Sequence, residues 1–344
     1  MNNSPSVSIL VPVYGVESYI ERCARSLFDQ TYDNLEYIFV DDCTQDRSIQ
    51  VLLQVMDDYP HRKPHVKIVH HQSNRGISAT RNTAVEHAET DFLIYVDPDD
   101  WIECNTVELL VKRQLETGAD IVTPKPYVYL DGKVLTDWDE GDQYNRETTL
   151  SKILGRSICH HLWCRLIRTS LYKENNVRCI EGVNVGEDLQ TVVPLLYYSN
   201  KVAGVDTFLY HYRSDNAVSY MRRIAQEDSL RDQMVSSVAS LVSFFKTRNQ
   251  DYFISANHLL MQHKYDTMVA ASNEGNKHRF DYYAKQLKEQ PQYWSAIRWN
   301  NFLIRTIQSN YFLYRTIAPS AHKLLSIYRL MKKLASFKFL KYKR

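Results

Sequence analysis

Three carboxylates close the apolar run FLIYVDPDDW at 92–101: Asp97, Asp99 and Asp100. Acids set this close repel one another unless a positive group joins them. A hard divalent cation shared with a phosphorylated ligand takes one or two such oxygens from protein and the rest from phosphate and water. The apolar residues before the acids, β-branched and aromatic, predict a buried strand, and open α/β sheets place their ligands at the carboxyl ends of strands. The same residues also suit a surface turn shaped by Pro98, with the acids capping a helix that begins near Ile102.

Other reactive types recur where elements begin and end. Asp41 closes a second apolar run, and Asp42 or Asp46 beside it suits a cap or turn. Arg75 and Arg81 flank a helix start, where a guanidinium can clamp phosphate oxygens by paired hydrogen bonds; Arg81 equally suits a buried brace for the acids. Pro12 and Tyr14 follow the first apolar run and can wall a nucleobase, although Tyr14 alone reads as packing. Glu187 and Asp188 stand after Gly186, where acids also favour a helix dipole. Trp163 can offer a face to a pyranose or fill a core. His211 and Arg213, at the end of a later run, can reach a diphosphate if a loop through Ser219 folds over, or His211 is a buried histidine. Cys159, His160, His161 and Cys164 lack the ligand spacing of a zinc site.

The elements that must position these groups follow from periodicity. Apolar runs at 6–14, 35–42, 65–71 and 92–97 predict four strands, with helices over 17–28, 48–56 and the end of 74–88 between them. Such alternation implies a mostly parallel sheet with right-handed crossovers and one crevice that gathers the strand-end acids. Further along, the pattern predicts a helix over 106–116, a strand over 120–123 and a hairpin over 127–135 turning at Asp131 and Gly132. Short helices over 161–172 and 185–199 and a strand over 201–213 complete this part. Beyond about Arg222 the pattern is helical throughout.

With 344 residues, 44% hydrophobic and 12% aromatic, the chain is that of a packed α/β domain with a smaller second unit. No glycine-rich dinucleotide turn or Walker lysine follows the first strand, which argues against an oxidoreductase or a nucleotide triphosphatase. The six cysteines read as buried small hydrophobes in a reducing compartment. The N-terminus has no basic leader before its short apolar run, and no run reaches about 18 apolar residues, so neither a signal peptide nor a spanning helix is expected. Net charge is +2, but the sign is unevenly placed. From 290 to 344 there are 11 Lys and Arg and no acid, while the first 289 residues carry a net −9.

SILVPVYGVESYIERCARSLFDQTYDNLEYIFVDDCTQD, NRGISATRN, YVDPDDW and GED, in that order and spacing, resemble the bacterial family 2 glycosyltransferases. The resemblance spans roughly Ser6 to Ser219; Cys43 stands where glycine is common, with Thr44 and Asp46 keeping the polar pattern. It implies a GT-A fold, a nucleotide-diphosphosugar donor, most simply UDP-linked, and transfer with inversion to a glycan or lipid-linked hydroxyl. It further implies Asp41 on the base, Arg75 near the diphosphate, Asp97 toward the ribose, Asp99 toward Mn²⁺ or Mg²⁺, and Asp188 as the acceptor-side base. Asp100, Glu187, Arg81 and Trp163 are then supporting residues, with the division of metal contacts among Asp97, Asp99 and Asp100 open.

The expected organisation is a catalytic domain over 1–219 and a helical region over 220–344 ending in a basic amphipathic tail. Such a tail suits an anionic bilayer face, docking on the acidic body, or a nucleic-acid patch; membrane contact is the favoured reading. A cytoplasmic protein, peripheral on the inner face of the plasma membrane, with no nucleic-acid partner, is expected, and homo-oligomerisation is open. The alternatives are a non-catalytic sugar-nucleotide binder and a nucleotidyltransferase, whose basic glycine-rich loop PVYGVESY fits poorly.

Overall fold

The computed structural model describes residues 4–130, 133–135, 145–214, 223–224, 227–296 and 311. The chain forms two compact units, Met1–Ala256 and Asn257–Arg344. The expected boundary at 219, the turn at Asp131 and Gly132, and nearly all of the basic tail lie outside the described residues.

In the first unit, β1 (Val7–Val13), β2 (Leu35–Asp41), β3 (Val66–His70) and β4 (Phe92–Tyr95) pair in parallel, in the order β3, β2, β1, β4. All seven residues of β1 are buried because helices cover both faces of a parallel sheet, and this is why its sequence is a continuous apolar run. The helices α1 (Ile20–Phe28), α2 (Ser48–Asp57) and α3 (Ile77–His87) link these strands. In α1, Ile20, Cys23, Ala24, Leu27 and Phe28 form the buried stripe, at the spacing of one helix face.

Beyond β4 the sheet becomes mixed. A short β5 (Trp101–Ile102) precedes α4 (Thr106–Thr117), so no helix begins at Ile102 itself. β6 (Ile121–Leu130) pairs with β7 (Lys133–Leu135) as the expected hairpin arms. The segment 161–172, expected as a helix, divides into β8 (Leu166–Arg168) and α6 (Thr169–Glu174). β8 lies antiparallel between β4 and β6, with Ile167 opposite both Leu93 and Ile121. A run this short does not separate helix from strand by its period, and two distant strands with unpaired edges decided it. α5 (Arg146–Leu154) precedes this segment; α7 (Glu187–Tyr198), β9 (Val202–Arg213) and α8 (Asp228–Phe245) follow it. β9 runs parallel to β6 and antiparallel to β5, which gives the full order β3-β2-β1-β4-β8-β6-β9-β5.

The helix α9 (Gln250–Asn273) contains the division between the units, and α10 (Lys277–Lys288) belongs to the second. Asn276 caps α10 by accepting from the Arg279 amide at 3.1 Å. Phe280, Tyr283 and Leu287 form its buried stripe. Among the described residues no helix is long and apolar enough to cross a membrane.

Candidate active site

The carboxyl ends of β1 and β4, the starts of α3 and α7, and the end of β9 surround a cavity of about 430 Å³. Pro12 and Tyr14 enter it from the end of β1, Thr80 and Arg81 from α3, and Asp97 and Asp99 from the loop after β4. Glu187 and Asp188 open α7 on the opposite side, and Tyr212 and Arg213 close the end of β9. Gly76, just before α3, has φ +83°, and a Cβ there would stand 2.4 Å from Asn184 Nδ2. Only glycine satisfies both conditions, and this close approach brings the loop before α7 against the start of α3. Ser78 secures the junction by donating from its amide to Asn184 Oδ1 at 3.2 Å and from its hydroxyl to the Val183 carbonyl.

Arg81 is the electrostatic centre. It is only 3% exposed, and its Nη2 lies 3.3 Å from Asp97 Oδ1, 3.4 Å from Glu187 Oε1 and 3.3 Å from Asp188 Oδ1. Burial works against its charge, but Asp188, Asp97 and Glu187 together hold the guanidinium well above its ordinary value. Asp97 is pushed up to about 6, by burial first; Arg81 opposes the shift while Asp188 and Asp99 add to it. Glu187 is raised further, again by burial first and then by Asp188 beside it. One cation cannot neutralise three carboxylates, so Glu187, the least exposed of them, retains its proton most readily.

Nine of the residues singled out in the sequence line this cavity: Pro12, Tyr14, Arg81, Asp97, Asp99, Trp163, Glu187, Asp188 and Arg213. Trp163 is 5% exposed, with its ring stacked on Tyr210 at 4.3 Å and on Tyr212 at 5.3 Å. It joins the core reading to the site reading.

Asp41, Arg75, Asp100 and His211 are not brought into the cavity lining. The Asp41 carboxylate accepts from the Thr44 amide at 2.8 Å and lies 2.9 Å from His70 Nδ1. The Arg75 guanidinium turns outward onto Glu181 at 2.9 Å. Asp100 is buried as a brace, accepting from the Tyr210 hydroxyl at 2.6 Å and the Arg213 amide at 2.7 Å. Burial raises its pKa well above the usual range, with Asp99 and Asp97 adding to the shift. His211 lies between the rings of Trp101 and Tyr127, each 4.8 Å away, and its nitrogens meet Glu103 Oε1 at 2.7 Å and the Tyr129 hydroxyl at 2.9 Å.

Several lining residues were not anticipated as site residues. Asp42 lines the cavity where Asp41 does not, and accepts from the amides of Arg75 and Gly76, each at 2.8 Å, which shapes the loop before α3. Asn184 stands two residues before the GED motif, and that proximity was a usable signal. His160 carried a signal only as a discarded metal ligand. Met234, from α8, is far from every motif and carried none.

Residues 8–175 match the family described as Glycosyl transferase family 2. The uncharacterized glycosyltransferase EpsJ of Bacillus subtilis is 28% identical over 249 residues, covering 68% of this chain and 69% of that protein. The glycosyltransferase GlyA of Streptococcus pneumoniae is 28% identical over 218 residues, 60% of this chain but 30% of its own length. The chain therefore spans about two thirds of one relative and under a third of the other. Among solved structures, S. aureus TarS 1–349 in complex with UDP-GlcNAc is similar with a TM-score of 0.55 and 19% identity, over 83% of this chain and 91% of that one. The mannosyltransferase PcManGT from Pyrobaculum calidifontis, in complex with GDP-Man and Mn²⁺, has a TM-score of 0.55 and 15% identity, over 92% and 87%. At these identities the likeness is one of fold. Motif order, family match and architecture agree: the chain has the GT-A fold, and its residues 8–175 are a glycosyl transferase family 2 domain.

Proposed function

We propose that this chain is an inverting glycosyltransferase that moves a sugar from a nucleotide-diphosphosugar, UDP-linked, onto a hydroxyl of a cell-surface glycan or lipid-linked acceptor. The observation that carries the reading is the convergence of Asp97, Glu187 and Asp188 on the buried Arg81 in one cavity at the strand ends. TarS, which shares the fold, has been crystallised with UDP and with UDP-GlcNAc, which supports the choice of donor class.

Asp188 is the base in this reading. Its carboxylate takes the proton of the acceptor hydroxyl as that oxygen forms a bond to the anomeric carbon. On the opposite face the bond from that carbon to the diphosphate oxygen breaks, and its electron pair leaves with the diphosphate. Arg81 Nη2 lies 3.3 Å from Asp188 Oδ1, an ion pair reaching the base from α3. Glu187, kept protonated by burial, does not compete for that positive charge.

Among the described residues no three His, Cys, Asp or Glu side chains form a preformed metal cage. Mg²⁺ and Mn²⁺ sites on nucleotide enzymes need only one or two protein carboxylates, the substrate supplying more oxygens. Asp97 and Asp99 fit that requirement: both line the cavity, and burial first, then Asp188 and Asp99, raise the cost of ionising Asp97, which a dication would relieve. When bound, such an ion would neutralise charge on the leaving diphosphate.

The test is release of nucleotide from a panel of nucleotide-sugars in the presence of glycoside acceptors. Transfer should require one donor, stop with chelator and fall about 10²- to 10⁴-fold in Asp188→Asn, the usual contribution of a general base. Nucleotide affinity, read by calorimetry, should change little in that variant. Full transfer by Asp188→Asn would remove the base assignment, and full transfer under chelator would remove the metal.

A further inference from the structure

Between α5 and β8 the chain runs through Cys159, His160, His161, Leu162 and Trp163, of which His160 and Trp163 line the cavity, and most of this stretch is held in place. The backbone is left-handed at Arg156 (φ 55°), where the Ser157 amide closes the end of α5 on the Lys152 carbonyl at 2.8 Å, and at Cys164 (φ 54°), a conformation uncommon for a residue with a Cβ. Cys164 donates its amide to the Tyr95 carbonyl at 2.8 Å, and Arg165 Nε donates to the His161 carbonyl at 2.8 Å. The His161 ring stacks on Trp163 at 3.7 Å, and its Nδ1 lies 3.1 Å from the Trp163 carbonyl.

His160 differs from both neighbours. It lines the cavity and is half-buried, yet among the described residues no hydrogen-bond partner meets its ring. Burial lowers its pKa, so the imidazole is neutral, with one nitrogen to donate and one to accept. The charge that acts on it most strongly is Asp188, across the same cavity. Polar groups held in a partly desolvated wall without a protein partner are completed by water or ligand. The rigid backbone on either side presents this ring to whatever Asp188 faces.

We propose that His160 is an acceptor-binding residue, its imidazole hydrogen-bonding a hydroxyl next to the one that Asp188 deprotonates, so that the acceptor is a vicinal diol of a sugar or polyol. This rests on the reading of Asp188 as the base. A neutral imidazole beside a carboxylate matches two adjacent hydroxyls: one gives its proton to the carboxylate and the other exchanges a hydrogen bond with the ring. A simple alcohol offers nothing to His160. The contact therefore selects both the acceptor class and which of its hydroxyls reacts.

The experiment measures nucleotide release from UDP-GlcNAc, UDP-Glc, UDP-Gal and GDP-Man with methyl glycosides, glycerol and 1-octanol as acceptors. Transfer and donor hydrolysis are read in the same preparation. For the best glycoside, the analogues lacking single hydroxyls are compared on the wild-type enzyme. One deoxy analogue should lose about tenfold in kcat/KM, the worth of a neutral hydrogen bond. His160→Ala should lower the ratio of transfer to hydrolysis by a similar factor on the parent glycoside, with most of the loss in acceptor KM. It should lower that ratio little on the deoxy analogue, and His160→Gln should recover part of the loss. Equal losses on both acceptors, equal losses in transfer and hydrolysis, or preference for octanol over every diol would each overturn the proposal while leaving the transferase reading intact. Absence of nucleotide release from any donor, with any acceptor or water, would overturn that reading and this proposal with it.

Discussion

With one guanidinium set against three carboxylates, the centre of the cavity is net negative whenever more than one of the acids is ionised. Replacing Arg81 with Met keeps much of the volume and removes the cation. Breaking a buried ion pair from one side typically costs about 3–5 kcal/mol, because the remaining charge stays buried. The sign of the pH dependence follows from the acids. Asp97 ionises near 3.8 when unfolded and near 6 when folded, so its folded form holds the proton longer. Its contribution to stability is therefore greatest below about 4 and is lost as pH rises toward 6. Without Arg81 the folded value rises further, and the loss continues to higher pH. Urea unfolding of Arg81→Met against wild type should then show a larger deficit at pH 8 than at pH 5; an equal or smaller deficit at pH 8 would mean that Arg81 does not favour the ionised form of Asp97. The same scale shows why some residue roles were not legible. Neighbours on a strand point to opposite faces. Tyr210 and Tyr212 stack on Trp163, while His211 between them meets Trp101 and Tyr127 instead. Asp41 and Asp42 divide in the same way: only Asp42 lines the cavity. Apolar periodicity locates such a pair within one residue, and one residue decides which of the two lines the cavity.

At the scale of elements, the parallel half was readable because β1, β2 and β4 are buried on both faces and α1 carries a plain stripe. β8 was not, since its partners lie 74 and 46 positions away and nothing local records that they need a strand. The junction of α3 with the loop before α7 was equally hidden. It depends on an absent Cβ at Gly76 and on the Ser78 hydrogen bonds to Val183 and Asn184, over a separation of 105 and 106 residues. Gly76→Ala should therefore do two things. Backbone strain at a positive φ costs a non-glycine residue about 1–2 kcal/mol, and displacement of Asn184 should open the cavity and raise donor KM. Gly118→Ala serves as the control. Its φ is also positive, at +67°, but a Cβ there meets nothing within 4 Å. Gly118→Ala, at an ordinary left-handed ψ of 20°, should lose less stability in thermal unfolding than Gly76→Ala, whose ψ of 167° is essentially reserved to glycine, and only Gly76→Ala should lose donor affinity by calorimetry. If both leave donor affinity untouched, the junction does not shape the donor site.

At the scale of the whole molecule, charge is separated along the chain: net −9 over the first 289 residues, then 11 basic residues and no acid. Leu, Ile, Phe, Tyr and Trp alternate with those cations through 298–344, a composition suited to lying along an anionic bilayer. Each Lys or Arg near such a surface contributes about 1 kcal/mol, an attraction that salt screens. A lipid-linked acceptor would make this placement useful, because the cavity would then work at the surface where its substrate is held. Removing 332–344 takes away six of the eleven cations. Flotation with phosphatidylserine-containing liposomes should fall at least tenfold in the shortened chain, and 0.5 M salt should weaken flotation of the full chain. Transfer to a water-soluble acceptor should persist in the shortened chain, since every lining residue of the cavity precedes Met234 or is Met234 itself. Docking of the tail onto the acidic body predicts the opposite pattern: flotation little altered, and stability of the whole chain lowered by the deletion. Unchanged flotation would therefore overturn the membrane reading of residues 332–344.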